Sequence, residues 1–263
     1  MPQQACRWIA LALLAAATLT AQAQAPDWKK IRIGVEGAYP PFSEVDKDGK
    51  LKGFEIDLAA AYCAEMKAEC SLVQQDFDGL IPALQARKID VIFASMTITD
   101  ERKRTIAFSA PYYNSPGRMI GRSDAKFDVT AAGLKDKKIG VQRGTTHEKF
   151  AIDTFKQSKV ISYATQDQAY LDLKSGRLDL TLADLVAADQ GFVKKPEGKG
   201  FGFVGPSFAD VKYFGVGMGA GMRRADEKTL GKKFNAAIAA VRASGAFKKL
   251  NDKYFEHDIS PTP

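Results

Sequence analysis

Two pairs of segments match each other in the same order along the chain, and this internal match constrains the fold more than any other feature. Residues 84–95 align without gaps with residues 173–184, sharing Leu, then Lys or Arg, an apolar residue, Asp, an apolar residue and Ala at fixed spacing. Residues 33–36 match residues 139–142, as Ile-Gly-Val followed by Glu or Gln. We therefore expect two domains of similar plan.

Each series alternates short apolar runs with amphipathic stretches of helical period. Such alternation predicts βαβ units and a mainly parallel sheet flanked by helices, the α/β class. In open α/β sheets, ligands bind beyond the carboxyl ends of strands. The alignment makes Glu36 equivalent to Gln142 and Ser95 equivalent to Asp184, each at a strand end. If the two domains face each other, these four residues meet in one cleft.

The chain is expected to cross between the domains twice, near residues 114–117 and 207–212. This predicts a first lobe of residues 24–114 and 212–263, and a second lobe of residues 115–211. Residues 213–219 are predicted to form a Gly-rich strand, and residues 226–243 a long helix that returns to the first lobe.

The first residues have the pattern of a secretory signal peptide. Arg7 precedes an apolar run at residues 8–19, and an A-x-A site follows, so we expect residues 1–23 to be removed after Ala23. The mature protein is then expected in the periplasm. Cys63 and Cys70 remain there, an even number in an oxidising compartment, so we predict that they form a disulfide; the alternative is two buried thiols.

Charge and composition argue against several function classes. The formal net charge is +7, but its lysines show no basic stripe interleaved with aromatic residues, so nucleic-acid binding is not expected. His147 and His257 are the only histidines, and there is no C-x-x-C, which argues against a metal site and against Cys/His catalysis. No cofactor is expected.

The segment from Ala94 to Arg104 combines a strand end with a helix start. Thr99 is a good helix N-cap, and the first backbone N–H groups of a helix favour an anion. Arg102 follows with a planar fork that matches a carboxylate, and Ser95 and Thr97 add hydroxyls. These parts could hold a free carboxylate; the alternative is an ordinary turn with a solvated Arg.

Several motifs together resemble the periplasmic solute-binding proteins of polar amino-acid ABC transporters (solute-binding protein family 3), in particular the arginine and lysine-arginine-ornithine binders. The matching segments span nearly the whole mature chain and are residues 36–42, 53–58, 76–82, 95–102, 140–146 and 176–179. The resemblance implies a monomer with the two-lobed type II fold, whose hinge strands let it close over one amino acid.

The family motifs also imply roles for individual residues. Arg102 would clamp the ligand's α-carboxylate with backbone N–H groups near Thr97 and Thr145. Asp184, Thr97 and the Ser95 carbonyl would hold the α-ammonium. Tyr39 and Phe77 would sandwich the side chain. The full set of expected ligand-binding residues is Glu36, Tyr39, Phe77, Ala94, Ser95, Thr97, Arg102, Gln142, Thr145, Thr146 and Asp184.

Glu36 decides the expected specificity, because relatives that bind basic amino acids carry an acid at this position. The implied function is delivery of a basic L-amino acid, arginine foremost, with lysine, ornithine and histidine open, to an inner-membrane ABC permease. Glu36 as a surface turn acid, Tyr39 and Phe77 as core aromatics and Asp184 as a helix N-cap are the structural alternatives. Glu55 and Asp57, in the first turn of a helix, are interpreted as structural.

Two other function classes remain open. Some exported enzymes, such as cyclohexadienyl dehydratases, share this fold but act on substrates without an amino group, for which an amino-acid clamp is unsuited. A chemoreceptor ligand-binding module would have the same fold and site. The balance of the motifs favours a binding protein over an enzyme.

Overall fold

The computed structural model describes residues 27–261, so the predicted signal peptide lies outside the described residues. The strands are β1 (Lys30–Val35), β2 (Ala38–Tyr39), β3 (Ser43–Val45), β4 (Leu51–Lys52), β5 (Glu69–Gln74), β6 (Val91–Ile92), β7 (Ala107–Phe108), β8 (Gly117–Arg122), β9 (Lys138–Gln142), β10 (Lys159–Tyr163), β11 (Leu180–Asp184), β12 (Phe201–Phe208) and β13 (Gly221–Met222).

Helices alternate with these strands. They are α1 (Phe54–Glu65), α2 (Leu80–Gln85), α3 (Asp100–Lys103), α4 (Thr146–Thr154), α5 (Gln166–Lys174), α6 (Leu185–Ala188), α7 (Val211–Phe214), α8 (Lys232–Ala243) and α9 (Ala246–Tyr254). Short 3₁₀ turns cover Phe77–Gly79, Pro196–Gly198 and Arg224–Asp226, and wide π turns cover Asp189–Val193 and Glu227–Gly231.

Two five-stranded sheets organise the molecule, and we call the layers around them lobe 1 and lobe 2. The sheet of lobe 1 has the order β5-β1-β6-β13-β7, and that of lobe 2 has the order β10-β9-β11-β8-β12. In each sheet the first three strands are parallel. The other two pairings are antiparallel, because β13 runs against β6 and β7 in lobe 1 and β8 runs against β11 and β12 in lobe 2. The prediction of parallel sheets therefore describes half of the pairings.

Side chains alternate between the two faces of each sheet. In lobe 1, Val91 and Phe93 lie in one apolar cluster, whereas Ile92 and Ala94 lie in another on the opposite face. Lobe 2 likewise has two clusters, with Leu182 in one and Ala183 in the other. Helices therefore cover both faces, as parallel strands require, and only the strand ends remain free for a ligand.

Local capping explains where several helices begin. Thr99, Thr145 and Thr165 each accept a hydrogen bond from the backbone N–H three residues later, at 3.2, 3.1 and 3.3 Å. Asp210 caps α7 through Lys212 N at 2.9 Å, and the left-handed Gly215 ends it. The predicted strand at residues 213–219 is therefore wrong: its start is helical, Met218 makes only isolated bridges, and β13 begins later, at Gly221.

The predicted disulfide joins Cys63 at the end of α1 to Cys70 in β5, with the two Cα atoms 6.2 Å apart. A three-stranded antiparallel sheet, β2-β3-β4, has a hairpin tip at residues 46–50 between β3 and β4. Across residues 27–261 there is no helix with both the length and the apolar character needed to cross a membrane.

Candidate functional site

A cavity lies between the two lobes at the carboxyl ends of the parallel strands. Ten of the eleven expected ligand-binding residues line it, and His147 is an additional lining residue. The lining residues are Glu36, Tyr39, Phe77, Ala94, Ser95, Thr97, Arg102, Gln142, Thr145, Thr146 and His147. Asp184 is the one expected residue that does not line it.

Equivalent strand ends of the two lobes supply the polar residues. Glu36 directly follows β1, and Gln142 is the last residue of β9. Gln142 Nε2 donates a hydrogen bond of 2.6 Å to Glu36 Oε1, which joins the lobes through the pair that the internal sequence match had made equivalent. Thr145 and Thr146 begin α4, so its N-terminus faces the cavity.

Glu36 is buried, with 5% of its surface exposed. Burial raises its pKa to about 7, and the Gln142 hydrogen bond offsets only part of that effect. Within residues 27–261, no Lys or Arg forms an ion pair with Glu36. A buried carboxylate in this setting would be stabilised by a cation that enters the cavity.

Arg102 occupies the same cavity, and its two terminal nitrogens are hydrogen-bonded to backbone carbonyls. Nη1 donates to Thr97 O and Nη2 donates to Gly144 O in lobe 2, both at 3.1 Å. Its guanidinium carbon lies 5.5 Å from the centre of the Phe77 ring. Burial lowers the pKa of Arg102 to about 10, so it stays charged at neutral pH. No carboxylate among the described residues pairs with it.

Asp184 ends β11 and caps α6. Its Oδ1 accepts hydrogen bonds from Ser115 Oγ at 2.8 Å and from the backbone N–H groups of Val186 and Ala187 at 2.8 and 3.0 Å. Its Oδ2 is buried and has no hydrogen-bond partner within residues 27–261. Burial raises the pKa of Asp184 to about 6. Burial also raises the pKa of the adjacent Tyr39, and the charge of Asp184 adds to that effect. The carboxylate therefore combines a structural cap with a free buried acceptor.

The two expected aromatic residues differ in their surroundings. Phe77 belongs to an apolar cluster with Leu80 and Leu84 and also presents its ring to Arg102. Tyr39 stacks on Phe42 with ring centres 6.1 Å apart. Both line the cavity, so the packing role and the cavity role coexist.

Further contacts join the lobes around the cavity. Arg143 Nε donates to Asp78 Oδ2 at 2.5 Å, and Thr97 Oγ1 lies 3.5 Å from Thr146 Oγ1. On another side, Lys194 Nζ lies 2.6 Å from Glu256 Oε2. The lobes are thus in direct contact around the cavity.

Sequence reasoning missed one residue that lines the cavity, His147, and did not predict the complete burial of Glu55, which it interpreted as structural. The His147 ring packs edge-on against Phe214 with ring centres 5.6 Å apart, and burial together with the nearby Arg102 charge lowers its pKa to about 4. Glu55 is fully buried behind the cavity and bonded to Ser95. The sequence signal for this burial was the spacing of Glu55, which lies three residues before Leu58 and seven before Tyr62, on the apolar stripe of α1. Asp57, by contrast, pairs with the exposed Lys253.

The described residues contain no group of three or more His, Cys, Asp or Glu side chains arranged to hold a metal ion. The cavity instead combines one cationic fork, one buried carboxylate, hydroxyls and aromatic faces. Such a set can hold a small ligand that carries both a carboxylate and cationic groups.

Comparison with known proteins gives consistent matches over nearly the whole chain. The family of bacterial extracellular solute-binding proteins, family 3, matches residues 31–257. The chain is 48% identical over 251 residues to the L-arginine-binding protein of Pseudomonas aeruginosa, covering 95% of this chain and 96% of that protein. It is 42% identical over 253 residues to the lysine/arginine/ornithine-binding periplasmic protein of Escherichia coli, covering 95% and 97%.

The fold of this chain is also similar to that of solved structures. A periplasmic binding protein of Salmonella typhimurium, described as highly specific for arginine, superposes with a TM-score of 0.79. It is 34% identical in sequence, and the match covers 86% of this chain and 99% of that one.

Proposed function

The chain belongs to the bacterial extracellular solute-binding proteins of family 3, and from this premise we propose that it captures a basic L-amino acid, arginine foremost, in the cavity between its lobes. The captured ligand is delivered to an inner-membrane ABC permease. Lysine, ornithine and histidine are the competing ligands, because relatives with these names share 40% or more of the sequence. The predicted signal peptide, with relatives named as periplasmic, supports a periplasmic location.

The observation that carries the proposal is the charge arrangement of one cavity. It contains Arg102, which has no carboxylate partner in the described part of the chain, and the buried Glu36, which has no cationic partner there. An amino acid with a cationic side chain supplies both missing partners at once. Its carboxylate would meet Arg102, and its distal cation would meet Glu36 and Gln142.

The remaining residues complete the proposed recognition. The α-ammonium would bind the free Oδ2 of Asp184, the Thr97 hydroxyl and the Ser95 carbonyl. Backbone N–H groups near Thr97 and Thr145 would assist Arg102 with the carboxylate, and Tyr39 and Phe77 would flank the side chain. Ala94 and Thr146 would complete the walls of the cavity.

A competition series of arginine against citrulline, in the wild type and in Glu36→Gln, tests this function. Citrulline has nearly the shape of arginine without the distal charge. A charge-assisted hydrogen bond contributes about 1.5–3 kcal/mol, or roughly ten- to hundredfold in affinity. We expect wild-type protein to prefer arginine by that factor, and Glu36→Gln to lose most of the preference.

The control is Gln190→Glu, which changes charge in the opposite direction at a position outside the cavity. It should leave the arginine-to-citrulline ratio unaltered. If Glu36→Gln also leaves the ratio unaltered, Glu36 does not read the distal cation. Turnover of prephenate or arogenate by the wild type would instead support the enzymatic alternative.

A further inference from the structure

Glu55 occupies an unusual position for an acidic residue. It lies in the first turn of α1 with 0% of its surface exposed. Its Oε1 accepts a hydrogen bond from the backbone N–H of Ser95 at 2.7 Å and a second one from the Tyr112 hydroxyl. Its Oε2 has no hydrogen-bond partner within residues 27–261, and no Lys or Arg of that range forms an ion pair with Glu55.

Ser95, the residue held by Glu55, has a strained backbone. Its φ is +50°, in the left-handed region that side chains with a Cβ atom rarely adopt. Such a conformation persists only where surrounding contacts enforce it, and it is common at ligand sites. The contact that fixes the Ser95 N–H is the Glu55 carboxylate.

The strained residue lines the cavity. Ser95 stands between Ala94 and Thr97 in the cavity wall, and its hydroxyl is buried without a hydrogen-bond partner in the described part of the chain. The left-handed turn changes the course of the chain directly after β6, between the buried strand and the segment that leads to Arg102. The direction of the Ser95 peptide groups therefore depends on φ at this residue.

We propose that Glu55 is a positioning residue of the ligand site, which holds Ser95 in the left-handed conformation that presents it to the α-ammonium of the ligand. This inference rests on the proposed amino-acid-binding function. A preformed acceptor binds the ammonium without first paying an ordering cost. Without the hydrogen bond to Glu55, Ser95 relaxes toward an ordinary φ, and its oxygen acceptors turn away from the α-ammonium.

The negative charge of Glu55 also favours a ligand that carries an α-ammonium group. Repulsion between carboxylates couples Glu55 to Glu36, which lines the cavity, and to the buried Asp184. A ligand with two cationic groups relieves this repulsion. A ligand without the α-amino group relieves less of it and also fails to use Ser95.

The test compares two ligands, L-arginine and 5-guanidinopentanoate, which is arginine without its α-amino group. In Glu55→Ala, calorimetry should show arginine affinity reduced about tenfold or more, with 5-guanidinopentanoate changed less than about twofold. Glycine adopts positive φ without an anchor, so adding Ser95→Gly to Glu55→Ala should restore a measurable part of the arginine affinity. Ser95→Gly alone is the reference for this rescue, because it removes the Ser95 side chain from the cavity wall while Glu55 is kept.

Glu55→Gln covers the case in which Glu55→Ala does not fold. It keeps one acceptor for Ser95 and loses the charge, so arginine affinity should fall by a smaller factor than in Glu55→Ala, again with 5-guanidinopentanoate unchanged. An equal loss for both ligands, or no recovery with Ser95→Gly, would overturn the positioning role. Wild-type protein that binds no arginine would overturn the proposed function, whereas wild-type binding with unchanged Glu55 variants would overturn only the inference.

Discussion

At the scale of single residues, Arg102 is held by contacts that are weaker than the one proposed for it. Its two backbone acceptors, Thr97 O and Gly144 O, are neutral carbonyls, whereas a carboxylate would accept from the guanidinium with its own charge and in the bidentate geometry that the planar fork matches. An entering carboxylate can therefore replace at least one of them with a net gain. Phe77 keeps the guanidinium plane in place meanwhile.

We predict that Arg102→Lys lowers arginine affinity by about a hundredfold, because a point charge on a flexible stem cannot replace a planar fork. Isothermal titration calorimetry measures the loss. Lys103→Arg is the matched control, since Lys103 is a neighbouring cation outside the cavity lining that pairs with the exposed Asp100. Near-normal affinity in Arg102→Lys would contradict the role of Arg102 as the carboxylate clamp.

The three buried carboxyl groups predict a pH dependence of binding. Burial raises the pKa values of Glu36, Glu55 and Asp184 to about 7, 7 and 6. A cationic ligand favours their ionised forms, so binding should release protons, and affinity should fall as the pH drops from about 7 to about 5. His147 and Arg102, with pKa values near 4 and 10, do not change charge in this window.

The stability of the unliganded protein should show the opposite trend. A carboxyl group whose pKa is higher in the folded state stabilises that state when protonated, so its contribution is present at low pH and is lost as the pH rises through about 6 to 7.

Calorimetry in two buffers of different ionisation enthalpy counts the released protons. Glu36→Gln should release fewer protons on arginine binding, because the glutamine does not titrate. The charges of Asp76 and Asp167 also raise the pKa of Glu36. A pH-independent affinity between 5 and 8 would be incompatible with ionisation of these groups on binding.

At the scale of secondary-structure elements, the sequence located the parallel strands because their apolar runs are determined locally. The segments that the internal sequence match pairs, residues 33–36 and 139–142, fall at the carboxyl ends of β1 and β9. The helix predicted from residue 226 begins at Lys232, after the wide turn Glu227–Gly231. Helix starts without a Ser, Thr or Asp cap are set by tertiary packing, which a single sequence does not display.

Site prediction had the same limit. Residues within recognisable motifs, such as Arg102 and Thr145, could be placed in advance because the motif fixes their position at a strand end or helix start. Glu55 gains its contact with Ser95 only when segments 40 residues apart pack together. His147 lines the cavity and packs against Phe214, the last residue of α7, which lies far from it along the chain.

The turn Asp189–Val193 that follows α6 makes a tight contact with lobe 1. A Cβ atom at Gly191 would lie 2.6 Å from the backbone carbonyl of Pro40, which has no flexible side chain to move aside. Gly191→Ala should therefore separate the lobes slightly and raise the Kd for arginine about tenfold, because part of the binding free energy then opposes the clash. Titration calorimetry, with thermal denaturation as a folding check, measures this effect.

Gly202→Ala is the control for this substitution. Gly202 lies in β12 of the same lobe, and an added Cβ would meet only the Ser123 side chain at 3.1 Å. Arginine affinity within about twofold of the wild type is expected for it, since it does not touch lobe 1. If Gly191→Ala binds as well as Gly202→Ala does, the Gly191 contact has no part in closure.

At the scale of the whole molecule, the internal sequence match becomes a structural one. The parallel trio β5-β1-β6 of lobe 1 corresponds to β10-β9-β11 of lobe 2. Glu36 and Gln142, equivalent in sequence, meet through a hydrogen bond between the lobes. Each lobe thus presents the same edge to the other, and a ligand between them touches equivalent strand ends on both sides.

The two chain crossings are where relative motion of the lobes would be absorbed. Ser115, in the first crossing, bonds to Asp184 Oδ1, so one crossing is tied directly to a proposed ammonium-binding carboxylate. Without a ligand, the buried carboxylates repel one another and have no cation to offset their burial. This opposes the closed arrangement, whereas contacts such as Arg143 with Asp78 favour it. Binding of a dibasic amino acid removes the opposing contribution and leaves the favourable contacts.

We therefore predict that the unliganded protein is more open in solution and closes on arginine, with rotation at residues 114–117 and 207–212. Small-angle X-ray scattering should give a smaller radius of gyration with saturating arginine than without it. Arg102→Lys at the same arginine concentration should keep the larger radius, since it leaves the site largely empty. An unchanged wild-type radius, with binding verified by calorimetry on the same sample, would mean that the lobes are already closed before the ligand arrives. Selectivity would then have to come from entry of the ligand rather than from closure around it.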